Sequence, residues 1–282
     1  MKIKALVLFA SSLLSCQNTP QAPPQYRTDK IGEVEENIDI QSVSGIPLPQ
    51  GYERLPVADN SFAGYLSQIK IKKDKTVYLF DGRKKTNQTA QYAVLDVSVG
   101  NRDLQQCADA VMRLRGEYLF AQKKYDKIAF HSVSGENMRF MDWANGARNL
   151  LTVKTLTTKL KPNADVSHEN FLKYMNFVFA YASTLSLSKE MTPLSKTSDI
   201  EAGDVFIKGG SPGHAVIVVD VARHKTTGKK IFLLAQSYMP AQDIHILKNP
   251  SQKTLSPWYE QDFEEVLQTP EWDFDKTALK KF

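Results

Sequence analysis

An α+β fold, with helices laid on an antiparallel sheet, is what this chain predicts, and three observations carry the prediction. Helical periodicity dominates the first part, around residues 104–122, 140–150 and 170–183. β-Branched apolar runs follow at 204–207, 215–221 and 230–236. The two longest runs are joined by the short polar turn Thr226–Lys229, so they should pair as a hairpin rather than through a crossover. Hydrophobic residues make up 42% of the sequence, enough to fill a core.

Along the chain, Gly45–Pro56 reads as irregular approach to the domain, because Pro47, Pro49 and Gly51 interrupt any period. Phe62–Lys72 alternates loosely. Thr76–Phe80 predicts a short strand closed by the Asp81-Gly82 turn, and Tyr92–Val99 a β-branched strand. A helix then starts behind Asn101 or Asp103 as cap and carries Leu104, Cys107, Ala108, Val111, Met112 and Leu119 on its apolar stripe. Lys127–Phe130 is a further strand candidate. Phe140–Leu150 and Asn170–Ser183 predict helices, the second apolar on most faces and therefore buried. Asp204–Ile207, Ala215–Val221, Lys230–Gln236 and Ile244–Leu247 complete the expected sheet.

Residues 1–15 read as an export signal. Lys2 and Lys4 precede the apolar run Ala5–Leu14, and the segment ends at Cys16. The run is too short for a spanning helix, which needs about 20 apolar residues. Ending at a cysteine, it resembles a bacterial lipoprotein signal, which implies lipid attachment at Cys16 and the outer membrane as destination. Residues 16–46 then form a tether, and 47–282 one domain with a helical insert at about 131–200. The net charge of +5 is spread without a basic stripe, so no nucleic-acid footprint is expected. No repeat, low-complexity tract or second membrane-length segment stands out, and a monomer is expected.

With Cys16 lipidated, Cys107 is the remaining thiol. An exported chain with one unpaired cysteine presents a candidate reactive group. Cys107 lies early in its helix, where free N–H groups and the macrodipole favour a thiolate, so its pKa is expected below the free-thiol range. His214 opens the strand that follows Pro212-Gly213, rigidly held near a sheet edge. Gln236, the first polar side chain after Ile231–Ala235, is the leading candidate to orient that ring, with Asp243 and Ser237 as alternatives. Gln105 or Gln106, together with the Cys107 backbone N–H, could face a developing oxyanion. Against this stands the reading that Cys107, on the apolar stripe, is an inert core thiol, cysteine being among the most buried residue types. His131, His168, His224 and His245 show no metal-ligand spacing, and neither a metal nor a cofactor is expected. Asp204 reads as a turn-former whose carboxylate caps backbone N–H groups.

The segments Gln105–Arg115, Gly203–Ile207, Pro212–Val216 and Leu234–Pro240 resemble the motifs of an uncharacterised family of exported Bacteroides-type lipoproteins, a domain of unknown function, over about Gly51 to the C-terminus. More distantly, Cys107, Gly203-Asp204 and Gly213-His214 resemble, in that order, the landmarks of papain-like cysteine peptidases and amidases of the NlpC/P60 and CHAP kind. That resemblance implies a papain-like domain with Cys107, His214 and Gln236 as catalytic residues. The chain departs from the pattern in having Gln106-Cys107-Ala108 where an Asp or Asn usually precedes the cysteine, and in a long insert before His214.

Two functions follow as expectations. One is a cell-envelope thiol hydrolase that cleaves a peptide or amide bond, with peptidoglycan stem peptides as a substrate class. The other is a non-catalytic envelope lipoprotein that binds a glycan or peptide in a papain-like cleft.

Overall fold

The computed structural model describes residues 40–154 and 157–282, and the long strand His214–His224 runs through its centre. The expected export signal, Cys16 and the expected tether up to residue 39 lie outside the described residues. In chain order the elements begin with β1 (Tyr52–Arg54), α1 (Phe62–Ser67), β2 (Gln91–Val94) and α2 (Cys107–Ala121). The hairpin β3 (Ala129–His131) and β4 (Asn137–Arg139) leads into α3 (Phe140–Ala144), α4 (His168–Tyr181), α5 (Thr184–Glu190) and β5 (Thr192–Pro193). The sheet strands β6 (Val205–Lys208), β7 (His214–His224), β8 (Lys230–Gln236) and β9 (His245–Leu247) follow. Last come β10 (Tyr259–Glu260), β11 (Val266–Gln268), β12 (Asp273–Asp275) and β13 (Leu279–Lys281).

The principal sheet is antiparallel, ordered β2-β9-β8-β7-β6-β13-β5, with β1 pairing β7 and β10 pairing β8. The expected hairpin forms in register, Ile217 opposite Ala235 and Arg223 opposite Lys230. Gly228, at φ +73, donates its N–H to the His224 carbonyl and supplies the left-handed residue that closes the turn.

Strand β7 is buried from His214 through Ala222, so both its faces are covered. Ala215, Ile217 and Val219 point to the helical layer, while Val216 and Val218 point to the opposite cluster. A bulge between Val218 and Asp220 then reverses the parity, so that Val221 joins the second cluster and Ala222 the first. Each fully buried Val or Ile contributes about 1.5–3 kcal/mol of transfer free energy, which explains why this strand sets the sheet.

Helix α2 packs on the first face, and α4 packs on α2 where Gly116 leaves room: a Cβ there would come within 3.1 Å of Phe171 Cζ and 3.2 Å of Met175 Sδ. The second face is closed by the C-terminal segments through Tyr259, Leu267 and Phe274. A mixed α+β architecture with helices against an antiparallel sheet is therefore present.

Several boundaries differ from expectation for physical reasons. The packed domain starts before residue 47: Val43 and Ile46 are fully buried, and Val43 donates its N–H to the Ile69 carbonyl. Phe62–Ser67 is helical, capped by the Ser61 hydroxyl, which accepts the Gly64 N–H at 3.0 Å. Residues 131–200 hold α3–α5 but also β4 and β5. Trp143, Trp258 and Tyr259 are buried in the core.

Candidate functional site

Cys107 is the first residue of α2, following Gln106 in extended conformation. The turn is locked by Asp109, whose Oδ2 accepts the Gln106 backbone N–H at 3.1 Å. This places the thiol at the helix mouth, against the start of β7. The Ala215 backbone N–H favours the thiolate form of Cys107. A cleft of about 300 Å³ opens there, with Cys107, His214, Gln106, Tyr238 and Trp272 in its wall.

Gly213 is required at the entry to β7. A Cβ there would lie 2.4 Å from the Gly210 carbonyl oxygen, 2.5 Å from Thr184 Oγ1 and 2.8 Å from the Lys208 carbonyl oxygen. Only glycine lets the chain pass that close and still start the strand on His214.

The His214 ring is fixed by hydrogen bonding and stacking. Its Nε2 lies 2.8 Å from Gln236 Oε1, the last residue of β8. Tyr238, Trp272 and Phe274 pack around the ring, with centroids at 4.8, 5.4 and 5.8 Å. Gln236 Nε2 donates to Glu271 Oε2 at 2.8 Å and approaches His245 Nε2 at 3.4 Å. His245 in turn donates from Nδ1 to the Asp243 carbonyl at 2.9 Å, which leaves its Nε2 as acceptor. Both N–H bonds of the amide are thus committed, and its oxygen must face His214. An amide oxygen only accepts, so His214 carries its proton on Nε2 and its lone pair on Nδ1. Among the described residues Nδ1 has no hydrogen-bond partner, the Cys107 thiol included.

Glu271 sits in the loop between β11 and β12 and is itself held. Lys85 forms a buried ion pair with it, and Asn87 Nδ2 donates to its Oε1 at 3.1 Å. Burial pulls the Lys85 ammonium below its ordinary range, against the Glu271 contact that holds it up. A chain of contacts therefore runs from Lys85 through Glu271 and Gln236 to the ring in the cleft.

The electrostatics run against one expectation. Burial, then the neighbouring Asp109, pushes the Cys107 thiol up to about 11, although backbone N–H groups oppose the shift. Burial pulls His214 down to about 4, with Gln236 and Glu271 opposing. The helix mouth does not overcome desolvation here, so the resting pair is a neutral thiol and a neutral imidazole.

The other expected residues separate into wall and support. Gln106 lines the cleft and donates from Nε2 to Asp103 Oδ1 at 3.0 Å. Gln105 lines a different cavity, where its Oε1 accepts from Arg113 Nη1 at 2.8 Å. Ser237 is wholly buried behind the cleft, its Oγ 2.9 Å from the carbonyls of both Gln105 and Gln242. Asp243 does not orient the ring: its carboxylate accepts from Lys72 Nζ at 2.9 Å and from the Tyr78 N–H at 3.0 Å. Asp204 behaves as a turn-former, Oδ2 accepting the Glu201 N–H at 2.7 Å. Among the described residues no cluster of His, Cys, Asp or Glu is arranged to hold a metal ion.

Glu271, Lys85 and His245 were not legible as site residues. Glu271 lies 35 residues beyond Gln236, and Lys85 lies 186 before Glu271. The sole sequence signal for Glu271 is its place in the turn-forming Thr269-Pro270-Glu271-Trp272, which says nothing of what the turn touches.

The chain belongs to the family described as domain of unknown function (4846), whose model matches residues 43–281. No curated protein and no solved structure matches the chain.

Proposed function

We propose that the protein is a thiol hydrolase acting on an amide bond, with a papain-like arrangement in which Cys107 is nucleophile, His214 the proton carrier and Gln236 the residue that orients it. The observation that carries this reading is the fixed ring. Gln236 holds Nε2–H, so the free lone pair sits on Nδ1 of a histidine sharing one cleft with a helix-borne thiol.

Because the resting groups are neutral, the thiol loses its proton as it attacks rather than beforehand. Sulfur bonds to the carbonyl carbon while the thiol proton passes to Nδ1. The negative oxygen faces the Cys107 backbone N–H at the helix mouth. The ring hands its proton to the leaving nitrogen, the C–N bond breaks, and a thioester remains. Water, deprotonated through the same ring, releases the acid and restores the thiol, so the net change is amide plus water to acid plus amine.

Substrates would be envelope peptides, peptidoglycan stem peptides among them, reached by an exported monomer anchored through lipid on Cys16 in the outer membrane. More than one acyl chain is needed for stable anchoring. Incubating the purified protein with peptidoglycan-derived peptides tests the activity by mass spectrometry. New amine and acid termini should form, and should vanish in Cys107→Ala and in His214→Ala. Unchanged cleavage in a folded Cys107→Ala protein would overturn the reading.

A second reading is favoured by the high thiol pKa and the absence of a thiol–imidazole hydrogen bond. On it, the protein binds an envelope glycan or peptide without cleaving it. Cys107→Ala would then keep ligand affinity and cellular phenotype, and loss of either would reject it.

A further inference from the structure

The cleft that holds Cys107 is acidic in a chain of net charge +5. Its wall contains Asp103 and Asp109 but neither lysine nor arginine. Asp103 is exposed and its Oδ1 is already shared by Gln106 Nε2 and the Ala241 N–H. Asp109 is different. It is 8% exposed, its Oδ2 is used by the Gln106 N–H, and its Oδ1 is buried with no hydrogen-bond partner. Arg113, one turn further along the helix, does not reach it, being committed to Glu117, Gln105 and the Ser98 carbonyl. A buried carboxyl oxygen without a partner costs about 1–3 kcal/mol, more when charged, and the loss is recovered only if something else supplies the donor.

We propose that Asp109 is the specificity-determining residue of the cleft, its Oδ1 receiving a primary ammonium group of the substrate. The acceptor stands at the third position of the helix that opens on Cys107, so the ammonium is held in the cleft that contains the thiol. Its place next to a scissile carbonyl rests on the hydrolase reading, whereas the binding itself does not.

The electrostatics of Asp109 are consistent with that role. Burial raises the Asp109 carboxyl to about 8 against the backbone N–H groups of Gln106 and Asp109, and among the described residues no cation opposes it. The titratable groups that share its cleft are Cys107 on its own helix, His214 on β7, Tyr238 after β8 and Asp103 in the preceding loop, none of them cationic at neutral pH. An incoming ammonium would supply the missing positive charge and expel the carboxyl proton.

The test uses Cys107→Ala protein, so that turnover does not intrude, and three tripeptide amides as probes. Ala-Ala-Ala amide carries an α-ammonium, acetyl-Ala-Ala-Ala amide carries none, and acetyl-Ala-Lys-Ala amide carries a side-chain ammonium. Calorimetric Kd values at pH 7 should be at least tenfold tighter for one or both ammonium probes than for the acetylated control, and which one binds identifies the ammonium source. Asp109→Asn should abolish that difference. Its amide oxygen can still take the Gln106 N–H, which keeps the helix start folded and turns N–H donors into the cleft. Equal affinity of all three probes, or no binding of any, overturns the proposal without a variant being made. Retained affinity in Asp109→Asn overturns it as well, since the residue would then be acting as a neutral donor. Turnover by the wild-type protein is measured separately, so failure of the hydrolase reading is distinguishable from failure of ammonium recognition.

Discussion

Glu271 accepts one N–H of the Gln236 amide at 2.8 Å, and that contact decides which end of Gln236 meets His214. An amide can turn over and present nitrogen where oxygen stood. If it did, His214 would have to accept at Nε2 and move its proton to Nδ1, the wrong tautomer for taking a proton from a thiol. The carboxylate prevents this because it can only accept. His245 supports the same orientation from the other N–H at 3.4 Å.

The tautomer is therefore the first testable consequence. Long-range nitrogen–proton NMR spectra should show His214 protonated at Nε2 in the wild type at pH 7. Glu271→Ala should give a mixture of tautomers, and the Nδ1–H form should gain most. A wild-type ring protonated at Nδ1 would remove the role assigned to Gln236.

Lys85 gives the second. Its ammonium is buried, with side-chain exposure of 8%, against a Glu271 side chain exposed by 13%. Removing one partner of such a pair strands a charge, which costs about 3–5 kcal/mol. Glu271→Gln should lower the urea midpoint accordingly. The double variant Lys85→Met, Glu271→Gln should recover most of the loss, because both charges leave together. Equal destabilisation of the single and double variants would show that the ion pair is not what the site relies on.

Cys107 chemistry follows from its surroundings. With the thiol pushed to about 11, alkylation by iodoacetamide should be slow at pH 7 and rise steadily into the alkaline range. Asp109 is the second cause of that shift, so Asp109→Asn should move the profile to lower pH and speed alkylation at pH 9. A rate already at plateau below pH 7 would mean that a thiolate–imidazolium pair exists at rest.

The sheet was readable because its strands are bounded by strong local signals. Lys230–Gln236 ends on the first polar side chain after an apolar run, and His214 begins directly after a Pro-Gly pair. Cys107, His214 and Gln236 stand out in the sequence for the same reason, each residue lying at the end of an element. Their support does not. Glu271 and Lys85 stand in loops, and their pairing depends on how the β11–β12 turn folds back over the sheet, a non-local fact. The thiol pKa departs from expectation because a helix N-terminus is visible in sequence while the depth of burial is not. Desolvation outweighed the dipole.

Stability against pH offers the last prediction, and opposite groups compete in it. His214 and His245 are each held near 4 by burial, below the 6.5 of an unfolded histidine. Unfolding takes up protons between those values, so each contributes stability that is complete above about pH 6.5 and lost as pH falls toward 4. Asp109 and Asp204 act the other way, raised by burial to about 8 and about 6 from 3.8. Their contribution is complete below pH 3.8 and is lost as pH rises through the folded values. From pH 4 to 6 the two sets oppose one another. Above pH 6.5 both histidines are neutral in either state and Asp204 has titrated, so of these four Asp109 alone continues, at up to about 1.4 kcal/mol per pH unit. Urea unfolding of the wild type should therefore show stability falling from pH 6.5 to 8. In Asp109→Asn that fall should be absent, because the amide does not titrate. Parallel curves for the two proteins across this window would mean that Asp109 is ionised in the folded cleft at neutral pH, with a compensating cation near it.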